Sequence, residues 1–246
     1  GLDDEHLEVF DLAPQALACL LADRSWMANA ELHAAAHELK LPLRFIHSTS
    51  ELPPERHADD GLRLLLGERP LDIERLGQRR GRLSVVGLGP GAAEHMTPAV
   101  RRALDEAEDL LGYDTYVKMA GPLRADQCLH PSDNREELQR AAHAFELAAT
   151  GRRVVMISSG DPGVFAMAAA VMEALESPQN EVWHGVELEV LPGVSAALAT
   201  AAKAGAPLGH DFCLISLSDN LKPWAVIEKR LQHAAAADLA MAFYNP

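Results

Sequence analysis

The chain has 246 residues, a formal net charge of -14, 48% hydrophobic and 24% charged residues. This is an ordinary globular balance without the Lys/Arg-rich face that a nucleic-acid binder uses to displace counterions. No apolar run approaches the roughly 18 residues of a membrane span, and the scattered Cys19, Cys128 and Cys213 form neither a disulfide framework nor an iron–sulfur set, so a reducing cytoplasm is the expected compartment.

The sequence opens at Gly1 and stops at Pro246 directly after an apolar run, the pattern expected of a chain cut at both ends from a longer protein. Apolar residues at helical spacing predict a helix over Asn29–Leu39, followed by a strand in Leu41–Ile46. A Pro- and charge-rich stretch, Glu51–Arg56, precedes a second short helix expected at Asp60–Leu66. Gly77–Gly81 reads as a polar linker, so a boundary is expected there.

From Leu83 onward strands and helices alternate. Leu83–Leu88 is an apolar run bounded by glycine and reads as a buried strand. Thr97-Pro98 is an N-cap followed by proline at the first helical position, opening a helix to about Ala107. A strand at Asp109–Gly112 and a long helix over Asn134–Thr150, stopped by Gly151, come next. Then follow strand Arg153–Ser158, helix Val164–Leu175, strand Val186–Leu191 and helix Val194–Ala204. Strand Phe212–Ser216, helix Pro223–Ala235 and strand Leu239–Tyr244 complete the series. Such alternation predicts an α/β fold with a largely parallel sheet.

Three motifs follow predicted strands. Gly87-Leu88-Gly89-Pro90-Gly91 leads toward the Thr97 helix; with Ala92 it also satisfies the loose dinucleotide fingerprint, and Asp109 falls about 20 residues on, where a ribose-binding acid is expected. Ser158-Ser159-Gly160-Asp161-Pro162-Gly163-Val164-Phe165 follows the next strand, and Leu191-Pro192-Gly193-Val194-Ser195-Ala196-Ala197 the one after. Taken singly, each also reads as an ordinary turn or a tight helix contact. Ligands of open α/β sheets bind at the carboxyl ends of strands, so the first two, Gly-rich turns are expected to face one crevice, and the third motif also stands at a strand end. Walker spacing and a nucleophile elbow are absent.

In order, Gly-Leu-Gly-Pro-Gly with Thr97 downstream, Ser-Gly-Asp-Pro-Gly and Pro-Gly-Val-Ser-Ala-Ala resemble the signatures of the tetrapyrrole methylase family over about residues 81–246. Leu111–Tyr116, Gly209–Cys213 with Ile215–Asp219, and Phe243–Pro246 resemble the branch that methylates carbon 17 of a precorrin and contracts the macrocycle; an anaerobic counterpart acts on a cobalt-bearing substrate. The resemblance implies S-adenosylmethionine as cofactor, bound through Pro90, Ser159, Gly160, Asp161, Val164, Ser195, Ala196 and Asn245. It implies a precorrin substrate, a homodimer and association with other corrin-pathway enzymes. It also implies two α/β domains, 81–207 and a second that begins at 208–246 and is cut short. Ala92 departs from the Asp often found after Gly-Pro-Gly. Ala18–Arg24 through Leu32 to Phe45 resembles the end of a small cobalamin-biosynthesis domain, making residues 1–80 a small α/β remnant.

Methyl transfer from a sulfonium needs positioning more than acid–base clusters, and the Asp161 carboxylate is a candidate acceptor for polar groups of the cofactor. Ring contraction adds proton transfers, for which His95, Asp114, His210 and Asp211 are candidates by their place beside the motifs. Arg101, Arg102, Lys118, Arg124 and Lys222 are candidates for a positive rim facing substrate carboxylates. His33 and His37 have the i, i+4 spacing of zinc ligands but no Glu follows His33, so no metal site is expected. Cys213, flanked by apolar residues, reads as an inert thiol. Two other functions fit parts of the sequence: a nicotinamide-dependent oxidoreductase using residues 87–92, and a non-catalytic carrier of corrinoid intermediates.

Overall fold

A computed structural model describes residues 17–47, 55–59, 62–65, 72–132, 137–176, 181–220 and 222–245. Its strands are β1 (Leu20–Asp23), β2 (Leu43–Ile46), β3 (Glu55–Asp59), β4 (Leu62–Leu65), β5 (Arg82–Gly87), β6 (Asp109–Tyr113), β7 (Cys128–Ser132), β8 (Arg153–Ser158), β9 (Glu187–Leu191), β10 (Phe212–Ser216) and β11 (Ala240–Tyr244). The α-helices are α1 (Ala30–Glu38), α2 (Pro98–Glu106), α3 (Asp114–Met119), α4 (Glu137–Ala149), α5 (Met167–Leu175), α6 (Ala196–Lys203) and α7 (Trp224–Ala236). Five strands form one sheet in the order β7-β6-β8-β5-β9, and β1-β2, β3-β4 and β10-β11 pair separately. This is the expected α/β class. Among the described residues no helix is long and apolar enough to cross a membrane.

The chain divides into two compact units, residues 1–83, 145–154 and 177–188 in one, and 84–144, 155–176 and 189–246 in the other. In the first, β1 and β2 pair in parallel around α1, whose N-cap Asn29 accepts the Leu32 amide at 2.8 Å. Residues 77–81 are more than a linker. Phe45 and Gln78 exchange both backbone hydrogen bonds at 2.7 Å, and the Gln78 side chain donates to the Ala149 carbonyl at 2.9 Å. The buried Arg44 guanidinium holds the carbonyls of Glu74, Leu76 and Gly77. Phe145 stacks on Trp183, ring centroids 5.1 Å apart and 12° from parallel.

The expected helix at Asp60–Leu66 is corrected: Leu62–Leu65 is strand β4, antiparallel to β3. An apolar run this short has no period that separates helix from strand, and pairing with the neighbouring segment decides it. Asp60, Gly61, Leu66 and Glu51–Pro54 lie outside the described residues, as do residues 134–136, where the long helix was expected to begin.

In the second unit, α2 packs Val100 and Leu104 into a core with Val86, Val155 and Ile157 of the sheet and Leu88 just after β5; each such buried side chain contributes roughly 1.5–3 kcal/mol. Thr97 caps α2 by accepting the Val100 amide. At its other end the buried Gln127 amide donates to the carbonyls of Leu104 at 2.7 Å and Ala107 at 2.9 Å, two acceptors the helix cannot satisfy itself. In the first unit, Gly151 at φ 91° makes the turn of α4 into β8. The parallel pair β10-β11 is covered by α7 through Ile227 and Ala234. Short α3 and strands β1 and β7 were not expected from the sequence; all are six residues or fewer, too short for periodicity to register.

Candidate functional site

The three glycine-rich turns converge at the carboxyl ends of β5, β8 and β9. Gly89 and Gly160 exchange backbone hydrogen bonds at 3.1 and 2.8 Å, joining the first turn to the second. A Cβ added to Gly193 would stand 2.1 Å from the Gly160 carbonyl oxygen and 2.6 Å from that of Gly87, so the third turn presses on both others and only glycine fits. The Asp161 carboxylate accepts the Gly163 amide at 2.8 Å through one oxygen and the Gly193 amide at 3.1 Å through the other. Its oxygens therefore bind the second turn to itself and to the third.

Helices α5 and α6 begin later than expected because of these turns. Phe165 takes φ 53° and Ala166 is extended, so α5 starts at Met167 rather than Val164. The buried Ser158 hydroxyl accepts the Met167 amide at 3.3 Å. Ser195 is the extended N-cap of α6, but its side chain caps nothing. It meets the Tyr244 hydroxyl at 2.5 Å, and that hydroxyl accepts the Ala197 amide at 2.9 Å. Each helix that follows a turn thus has an N-terminal amide taken by a hydroxyl of the protein: α2 by Thr97, α5 by Ser158, α6 by Tyr244.

Of the residues assigned to a cofactor, Ser159, Gly160, Asp161 and Val164 lie together on the second turn, beside Ser195 and Ala196 of the third, since Gly160 faces the Ala196 nitrogen and the Ser195 Cα. Pro90 is exposed on the first turn. Asn245 follows β11, takes φ 52° and donates from Nδ2 to the Ser216 hydroxyl at 3.1 Å, tying the carboxyl ends of β10 and β11. Tyr244 was missed as a member of this cluster. The signal was its position in Phe243–Pro246, which reads as a motif but does not show where its hydroxyl goes.

The acid–base candidates are dispersed: His95 adjoins the first turn and Asp114 follows the carboxyl end of β6, while the other two lie elsewhere. His210 and Asp211 are exposed before β10, at the end opposite Tyr244; one strand of this length spans about 17 Å. Asp114 pairs with Lys118 at 2.5 Å on α3. His95 lies beside the first turn, its backbone and Cβ against Gly89, with Nδ1 buried and without a partner. Several cations of the expected rim hold the protein itself. Arg101 donates to the Ala120 carbonyl, Lys222 to the Ser218 carbonyl, and Arg124 to the carbonyls of Asp105 and Ala107. Arg124 also hydrogen-bonds Asp126 and holds that carboxyl below its ordinary range. Arg102 is exposed. His33 Nε2 meets the Met27 carbonyl at 2.8 Å, and among the described residues no group of three His, Cys, Asp or Glu side chains could hold a metal ion.

The dinucleotide reading of residues 87–92 is corrected by Asp109. That carboxylate, 2% exposed, pairs with His130 Nε2 at 2.9 Å. It also sits at the amino end of β6, whereas Gly112 near the other end packs on Ile157 of β8. It cannot reach a ribose at the carboxyl ends of the strands. The three turns carry no Lys or Arg, and a pyrophosphate would compete with the hydroxyls already on the helix termini. Backbone edges and the uncharged side chains of Ala196, Val164 and Phe165 remain on these turns. A separate cavity of about 510 Å³ is lined by Leu111, residues 129–132, Gln139, Arg140 and His143, none of them from the three turns.

The family model for Tetrapyrrole (Corrin/Porphyrin) Methylases matches residues 82–246. A Sinorhizobium sp protein named precorrin-3B C(17)-methyltransferase is 57% identical over 166 residues, 68% of this chain and 65% of that protein. The cobalamin biosynthesis protein CobIJ of Mycobacterium tuberculosis (strain ATCC 25618 / H37Rv) is 53% identical over 174 residues, 69% of this chain and 33% of that protein. The crystal structure of the methyltransferase CobJ superposes with a TM-score of 0.64 at 60% identity, covering 68% of each chain. The chain therefore spans less than two thirds of the length of these curated relatives.

Proposed function

The chain belongs to the tetrapyrrole (corrin/porphyrin) methylase family, and on that premise we propose that it transfers a methyl group from S-adenosylmethionine to carbon 17 of precorrin-3B, with ring contraction, in cobalamin biosynthesis. The observation that carries this reading is the convergence of three cation-free turns at Gly87, Gly160 and Gly193, in a chain 57% identical to a relative of that name.

When bound, S-adenosylmethionine supplies the methyl group as an electrophile. The protein's part is to bind, orient and exclude water. Pro90, Ser159, Gly160, Val164 and Ala196 offer backbone edges and small or apolar side chains to the adenosyl portion. Asp161, Ser195 and Asn245 act by fixing those edges, through the hydrogen bonds to Gly193, Tyr244 and Ser216. Rigid turns of this kind reduce the entropy lost on reaching an in-line geometry.

In this reading residues 81–207 form the first methylase domain, 208–246 begin the second, and 1–80 end a fused cobalamin-biosynthesis domain. The protein works in the cytoplasm as a homodimer, alongside other enzymes of the corrin route. Titration calorimetry with S-adenosylhomocysteine and NAD in parallel tests the cofactor. Binding of S-adenosylhomocysteine without NAD is expected, and binding of NAD alone would overturn the proposal. Transfer of a ¹³C-methyl group to precorrin-3B, followed by NMR of the product, then tests the position; label at any carbon other than 17 rejects it.

A further inference from the structure

We propose that Tyr244 is a positioning residue for the third turn, holding Ser195 and the start of α6 in the conformation that receives the adenosyl ligand; the ligand, though not the capping, rests on the function proposed above. A serine at an N-cap ordinarily accepts an amide two or three residues ahead. Ser195 does not. Its hydroxyl, in a residue 5% exposed, turns to the Tyr244 hydroxyl at 2.5 Å. That phenol takes over the capping bond from the Ala197 amide at 2.9 Å. One oxygen thus serves two groups of the third turn from a residue 49 positions away in sequence.

The geometry around the phenol is built to keep it there. Tyr244 is the last residue of β11, in register with Ser216 at the end of β10. The next residue, Asn245, donates to the Ser216 hydroxyl, so the strand ends are fixed to each other. The Tyr244 ring packs on Phe165 of the second turn, centroids 5.3 Å apart and tilted by 56°. The ring and the hydroxyl therefore contact two different turns. Removal of the hydroxyl alone leaves the Phe165 contact and deprives Ala197 N–H and the buried Ser195 hydroxyl of a partner, which is costly for groups shielded from water.

Tyr244→Phe isolates the hydroxyl. Two readouts are taken on the whole chain: amide hydrogen exchange at Ala197, and the dissociation constant for S-adenosylhomocysteine. Exchange at Ala197 is expected to accelerate about tenfold and the dissociation constant to rise about tenfold, the size of one lost hydrogen bond. Ser195→Ala in the Tyr244→Phe background should add little further, because the two hydroxyls act as one unit. Unchanged exchange at Ala197 overturns the proposal. So does faster exchange with unchanged affinity, which makes the bond a helix cap alone. If the unsubstituted chain binds no S-adenosylhomocysteine, the adenosyl reading fails and the positioning claim for that ligand falls with it, while the Ala197 exchange rate still decides whether Tyr244 caps α6.

Discussion

The Asp161 carboxylate accepts the Gly193 amide at 3.1 Å across 32 residues of sequence. A charged acceptor on a backbone N–H is among the stronger protein hydrogen bonds, about 1.5–3 kcal/mol. Because its other oxygen holds Gly163, one side chain closes the second turn and fastens it to the third.

Asp161→Ala should therefore lower stability by about 2 kcal/mol and weaken S-adenosylhomocysteine binding in parallel. Asp161→Asn keeps a single acceptor oxygen and should recover part of both. Urea denaturation and calorimetry on the two variants check the order; an Ala variant as stable and as tight-binding as the parent contradicts the tie.

Gly193→Ala forces a methyl to 2.1 Å from the Gly160 carbonyl oxygen. Backbone must move to relieve it, at a cost of about 1–3 kcal/mol or more. Gly209→Ala, whose nearest neighbour is 3.9 Å away, serves as the control and should leave the melting temperature close to that of the parent. Equal melting temperatures for the two variants would mean the turns are not packed this closely.

Gln127→Leu keeps an apolar stem but leaves the Leu104 carbonyl and the Arg124 amide without their partner, and leaves the Ala107 carbonyl only its bond from Arg124. Buried orphaned groups cost about 1–3 kcal/mol each, so a loss of at least about 2 kcal/mol is expected in thermal or urea unfolding. Hydrogen exchange should quicken first at the carboxyl end of α2.

Burial pushes the Cys19 thiol above its ordinary value, and the charge of Arg44 offsets part of that rise. The thiolate is the reactive form, so Cys19 should alkylate more slowly than the exposed Cys128 when iodoacetamide labelling is followed by peptide mass spectrometry. The proton is held more tightly in the folded chain. The associated stability is complete below the thiol's unfolded pKa and is lost as pH rises through the raised folded one. A Cys19 that labels as fast as Cys128 at pH 8 would contradict this.

Much of the α/β alternation was legible in the sequence, because long apolar runs and 3.6-residue stripes are local properties. The strand from Leu83, the helix opened by Thr97-Pro98 and the stop at Gly151 all stand close to where their residues place them. So do the three turns, because glycine and proline act on their own backbone. The short β4 at Leu62–Leu65 was misread as helix, since four residues carry too little pattern and strand pairing is a relation to another segment.

The order of the turns in the chain, and the motifs within them, were properties of the sequence by itself. The partners of their side chains were decided by tertiary structure. Asp109 matched a ribose-binding spacing and proved to face His130 at the far end of its strand, because spacing in sequence does not state which end of a strand a residue occupies. Asp161 and Ser195 read as ligand contacts, and their hydrogen bonds to Gly193 and Tyr244 are visible only in the folded chain. Motif composition specifies which groups a turn offers. Whether a group meets a ligand or another turn depends on strand order and register, which juxtapose residues tens of positions apart and leave no local trace in the chain.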